Sequence, residues 1–137
     1  MAINPLTWNY QVWRCFFVLA ALWNFLGFFS VFWPYRSFQD LFGEDPKDDI
    51  TILLYRLLWL LVVLFGISYI IIAYDPKSFP GLLLLGIIAK VLAAGTFIIY
   101  HVKGFLQKGI LVGAVGDLLF GLFFALYLIG GVQAPIL

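Results

Sequence analysis

The chain has 137 residues, of which 64% are hydrophobic and 11% charged, with a net charge of +1. Ordinary soluble domains carry roughly 25% charged residues, and a globule this small has too little interior to hide so much apolar surface, so composition excludes a water-soluble fold. The scattered basic residues exclude a nucleic-acid surface, and the single cysteine, Cys15, excludes an internal disulfide and a self-contained thiol relay.

The first apolar segment runs from about Gln11 to Trp33. Trp8, Tyr10 and Trp13 stand where it begins, Trp33 and Tyr35 where it ends, and such rings with polar edges suit the headgroup level of a bilayer. No cleavable signal is expected, because the apolar run is long and no small-residue cleavage site follows it. A lipoprotein signal would need small residues before Cys15, where Trp13 and Arg14 stand; Cys15 reads as a small apolar residue of this helix. Trp23, Phe25, Phe28 and Phe29 read as lipid contacts or core.

The connection from Pro34 to Asp49 is the longest. Tyr35, Phe38 and Phe42 recur in it at helical spacing, which predicts a short helix lying at the membrane surface. Asp40, Glu44, Asp45, Asp48 and Asp49 make it acidic, but their spacing fits no calcium-binding loop, so a solvated charge run is expected. The second segment runs from about Ile50 to Tyr74, the third from Pro80 to His101 and the fourth from Gly109 to Gly131. Asp45-Pro46 and Asp75-Pro76 read as helix starts, with aspartate capping free N–H groups and proline at a position whose N–H has no partner. Each segment meets the roughly 20 residues needed to span a hydrocarbon core, and without strict alternation such segments are helices rather than barrel strands. The predicted fold is thus all-α, an antiparallel four-helix membrane bundle in one domain over residues 1–137, with an interfacial helix in the first loop. Four spans put both termini on one side with Arg14 and Lys77, whereas Arg36, Lys47, Arg56, Lys103 and Lys108 belong to the other. The excess of basic residues in loops one and three predicts those loops in the cytoplasm and both termini outside.

Four polar residues lie inside the spans, one in each: Asn24, Arg56, Lys90 and Asp117. With a rise of about 1.5 Å per residue, their levels fall within roughly one helical turn of each other. Lys90 and Asp117 stand at matching distances from the short connection that joins helices three and four, so the hairpin sets them level. Gly86, Lys90 and Ala94 form a ridge of small residues around the lysine, and Gly113, Asp117 and Gly121 repeat it around the aspartate. Small residues mark faces where membrane helices approach, so both charges are expected to point inward and to meet. Such a pair either fixes helix register or serves a ligand or ion path. If Arg56 joins them, the centre carries +1 and suits an anionic head; if it snorkels to the interface, it drops out. Tyr69 and Ser68 are candidates to line a pocket, although serine in a membrane helix tends to bond its own backbone. His101, the lone histidine, has no second strong ligand nearby, so neither metal nor haem is expected and no cofactor is assigned.

Gly66-x-x-Tyr69, Asp75-Pro76, Gly86 with Lys90, and Gly116-Asp117 lie between Tyr55 and Leu128. On these residues the last three helices resemble small bacterial four-helix membrane proteins of the broad DoxX-like type. The resemblance implies a bacterial inner membrane and, for some members, a link to quinone or sulfur redox systems; it carries over no catalytic residue. Three classes follow. The first is a non-catalytic binding or accessory protein whose pocket, bounded by Asn24, Arg56, Lys90, Asp117 and Tyr69, takes a lipid or a small anionic or hydrophobic ligand. The second is a minimal transporter or channel, a homo-oligomer gated by the charged centre; small multidrug exporters have a similar helix count but carry a glutamate in helix one that is missing here. The third is a membrane enzyme or redox accessory acting on lipid or quinone, with Asp117 as acid or base. The sequence favours the first.

Overall fold

The computed structural model describes residues 8–130. Helix α1 (Tyr10–Phe25) opens at Asn9, whose side-chain oxygen accepts the Val12 N–H at 3.0 Å and so satisfies a donor that the first turn leaves alone. At Leu26 and Gly27 the ladder tightens to bonds reaching back three residues, to Trp23 O at 3.3 Å and Asn24 O at 3.0 Å. Helix α2 (Phe28–Phe32) then completes the span.

Helix α3 (Pro34–Phe42) starts on a proline and stops at Gly43, whose φ of 73° lies in the left-handed region. The first loop therefore holds a helix, but its inward face differs from the expected one. Phe38 is buried and stacks on Phe42 at 4.3 Å, whereas Tyr35 is exposed and Ser37 takes the inward place. The reason is a chain of buried hydroxyls, Ser30 to Ser37 to Tyr55, in 2.6 Å steps; polar groups away from water must satisfy one another.

Helix α4 (Asp49–Tyr74) is capped by Asp48, which accepts both the N–H and the hydroxyl of Thr51 at 2.7 Å. The two Asp-Pro pairs are not the caps that the sequence reading assigns. Asp45 accepts from the Gln39 side chain, and Asp75 ends α4 and takes the Ser78 hydroxyl in the turn that follows. Helix α5 (Pro80–Val102) opens on proline without a side-chain cap, and α6 (Ile110–Gly130) closes the described chain; the expected end at Gly131 lies outside the described residues.

The spans pair in chain order. The first lies close along α4 and α5 lies close along α6, while α4 and α5 approach each other at fewer places. Rings fill the space between α1 and α6: Trp13, Phe16 and Phe17 meet Phe120, Phe124 and Tyr127 at centroid distances of 5.0 to 6.1 Å. Outside, Leu19, Leu61, Leu92 and Leu119 are each more than half exposed. Four helices of sufficient length and hydropathy to cross a bilayer, with leucine and isoleucine turned outward, make this an integral membrane protein.

Candidate functional site

Lys90 sits halfway along α5, flanked one turn away on either side by the buried Gly86 and Ala94. Its side chain is only 4% exposed. The ammonium donates to Asp117 Oδ1 at 2.7 Å and to Asn24 Oδ1 at 3.0 Å. Asn24 in turn donates from Nδ2 to the Val62 carbonyl oxygen at 2.9 Å, and the Trp23 indole N–H donates to Asp117 Oδ1 at 3.1 Å. One polar network thus ties α1, α4, α5 and α6 together at mid-span. The Tyr69 and Phe120 rings each stand with their centroid 5.5 Å from Nζ, within the range of cation–π attraction.

Glycine makes this arrangement possible at two places. A Cβ on Gly116 would stand 2.2 Å from Cζ2 of Trp23, and one on Gly86 would stand 2.9 Å from the Tyr69 ring. The glycine preceding Asp117 therefore admits the indole that donates to that aspartate. Gly113 meets nothing within 4 Å of its added carbon and instead borders open space.

Of the residues singled out from sequence, Asn24, Lys90, Asp117 and Tyr69 come together. Arg56 does not. It is exposed and stands outside the network, because successive helical residues turn by about 100° and its neighbour Tyr55 takes the inward face. The net +1 that would suit an anion is accordingly missing, and Lys90 and Asp117 cancel. Ser68 is half-buried and its hydroxyl donates to the Leu64 carbonyl at 3.1 Å. His101 Nδ1 lies 2.8 Å from Leu106 O and ties the loop after α5. Among the described residues no three His, Cys, Asp or Glu side chains gather as for a metal. The sequence reading missed Trp23, grouping it with Phe28 and Phe29, which do face outward. Its signal was available: an indole N–H within a span needs an acceptor, and Gly116 beside Asp117 offers both room and charge.

Among the described residues the indole N–H groups of Trp13 and Trp59 and the hydroxyls of Tyr127 and Tyr69 are buried without hydrogen-bond partners, and Tyr69 is 1% exposed. It borders a cavity of about 230 Å³ whose wall includes Asn24, Lys90 and Asp117. A second cavity, of about 220 Å³, shares Asn24, Val62, Ala93 and Asp117 with it and extends past Gly113 to Ser30. A third, of about 250 Å³, adjoins the second at Trp59, Phe97 and Ile110, reaches Phe42 of α3, and exposes only apolar atoms. Small-molecule sites commonly measure about 300–1,000 Å³, with apolar walls and few convergent polar groups.

Fold and site together define a four-span membrane protein with a charge-balanced polar centre beside cavities along the α4–α5 side. No family model, curated protein or solved structure matches the chain.

Proposed function

We propose that this chain is a non-catalytic binding protein that holds a lipid or small hydrophobic molecule inside the membrane, with its polar part against Asn24, Lys90, Asp117 and Tyr69. The observation that carries the reading is that the polar centre of Asn24, Lys90 and Asp117 forms part of the wall of two adjoining cavities. The neutral Lys90–Asp117 pair argues against an anionic occupant, and an aspartate already holding a lysine and an indole is poorly placed as a general acid or base. The membrane is a bacterial inner membrane, with the loops that carry Arg36, Lys47, Lys103 and Lys108 in the cytoplasm and both termini outside.

Native mass spectrometry after gentle extraction tests the binding reading, comparing wild type with Asp117→Asn and Lys90→Met. The expected result is a defined small molecule on the wild type that is lost from both variants. Clean apoprotein in all three, under extraction that keeps ordinary lipids bound, would overturn it and turn attention to transport across liposomes.

A further inference from the structure

We infer that the side of the membrane holding the chain termini carries a second site, where Arg14 and Lys77 together hold the phosphate of an anionic phospholipid. It lies apart from the polar centre and does not depend on what occupies that centre.

Arg14 is one turn into α1, and its Nε–H donates to the Ala73 carbonyl oxygen at 2.8 Å. Ala73 stands in the last turn of α4, where carbonyls have no partner within the helix. That bond anchors the guanidinium and leaves both of its terminal nitrogens without an acceptor among the described residues. Lys77 follows in the turn between α4 and α5. The Arg14 guanidinium carbon and the Lys77 ammonium each stand 5.9 Å from the centre of the Tyr10 ring, so one ring gathers both cations. The nearby carboxylate, Asp75, accepts from the hydroxyls of Tyr10, at 3.5 Å, and Ser78. Among the described residues neither cation forms an ion pair.

Charge and depth choose the occupant. Arg14, Lys77 and Asp75 are the charged side chains that the described chain places on this side, which leaves one positive charge over; residues 1–7 and 131–137 add no acidic side chain. Tyr10 begins the first span, at the level where rings with polar edges meet lipid headgroups. The long stems of arginine and lysine let their charges reach that level, and the anions found there are lipid phosphates. A guanidinium offers a phosphate two parallel N–H bonds, and an ammonium adds a point charge. Phosphatidylcholine carries an ammonium of its own into the same place. Surplus positive charge therefore favours a phosphate whose head group is otherwise uncharged, as in phosphatidylglycerol.

Native mass spectrometry tests this on the full chain released from nanodiscs of phosphatidylcholine and phosphatidylglycerol in equal amounts. The wild type should retain phosphatidylglycerol in clear preference. Lys77→Gln should lower that preference about fivefold, the worth of one basic group at an anionic lipid surface. Arg14→Gln should lower it at least about tenfold, because paired charge-assisted bonds go with the charge. Lys103→Gln, on the opposite side, should leave it unchanged. Lys77 bonds no acceptor among the described residues, so Lys77→Gln tests the site even where Arg14→Gln disturbs the end of α4. A wild type without preference overturns the site, as does a preference that survives when both residues are replaced. Equal loss in Lys103→Gln overturns it in favour of a general attraction to basic surface. Displacement of the lipid by millimolar inorganic phosphate overturns the lipid as occupant and assigns the site to the free anion.

Discussion

Replacing Lys90 by methionine removes a charge while nearly keeping the shape of the side chain. Asp117 then keeps only the Trp23 indole as a donor, and the Asn24 carbonyl oxygen loses the ammonium it faces. Breaking a buried ion pair by deleting one partner costs about 3–5 kcal/mol, because the remaining charge stays desolvated. Asp117 is 17% exposed against 4% for Lys90, so the lower end of that range is expected. Asp117→Asn strands the more buried Lys90, with the Asn24 oxygen still accepting from its ammonium, and should cost about 3 kcal/mol or more. The double variant, with no charge left to strand, should return to within about 1 kcal/mol of wild type, giving a coupling of at least about 5 kcal/mol. An ordinary interhelical hydrogen bond in a membrane averages about 0.6 kcal/mol, so Trp23→Phe should fall near that smaller value. The assay is reversible unfolding in mixed micelles followed by far-ultraviolet circular dichroism. A Lys90→Met variant within about 0.5 kcal/mol of wild type would refute the ion pair as a buried, coupled unit.

Three further outcomes follow from the geometry. Gly116→Ala should destabilise by about 1–3 kcal/mol, the usual cost of overpacking, and shift tryptophan emission as the Trp23 ring moves; combining it with Trp23→Leu should relieve most of the loss. Arg56→Gln should leave stability within about 0.5 kcal/mol of wild type and leave any bound ligand in place, as native mass spectrometry would show. The side-chain hydrogen bond from Thr51, helped by the Thr51 N–H, holds the Asp48 carboxyl below the ordinary aspartate value of 3.8. A depressed folded pKa means that the cap contributes fully above the unfolded value and fades as pH falls through the lower folded one. Protection of the Thr51 amide from exchange should therefore drop only on acidification below 3.8; loss well above that value would contradict the cap.

Much of the fold was legible because lipid leaves few choices. A run such as Ile110–Gly130 has to satisfy its backbone internally, so length and hydropathy settle the helix. The Lys90–Asp117 contact was legible for a related reason: a short connection sets helix levels, and a buried charge seeks its opposite. Details that depend on rotation about a helix axis were not. Arg56 and Tyr55 differ by one residue, and composition does not say which of them turns inward; the Ser30–Ser37–Tyr55 chain decides it. Trp23 was concealed by its phenylalanine neighbours, since only a partner on another helix distinguishes a donor from one more ring. Asp45 and Asp75 misled because a capping residue is defined by the N–H groups in front of it, and Asp48 stood closer to those of α4.

Because the close pairs are consecutive in the chain, each hairpin can settle before the other is present. Asn24 already has the Val62 carbonyl within the first, and Lys90 already has Asp117 within the second. The bonds that cross, Lys90 to Asn24 and Trp23 to Asp117, form only when the hairpins meet at one register. A slip of a single turn, about 5.4 Å, would leave those donors facing hydrocarbon. The centre is thus a key cut in two halves, and a chain severed in the turn after Tyr74 carries enough information in each half for the two to find their fit.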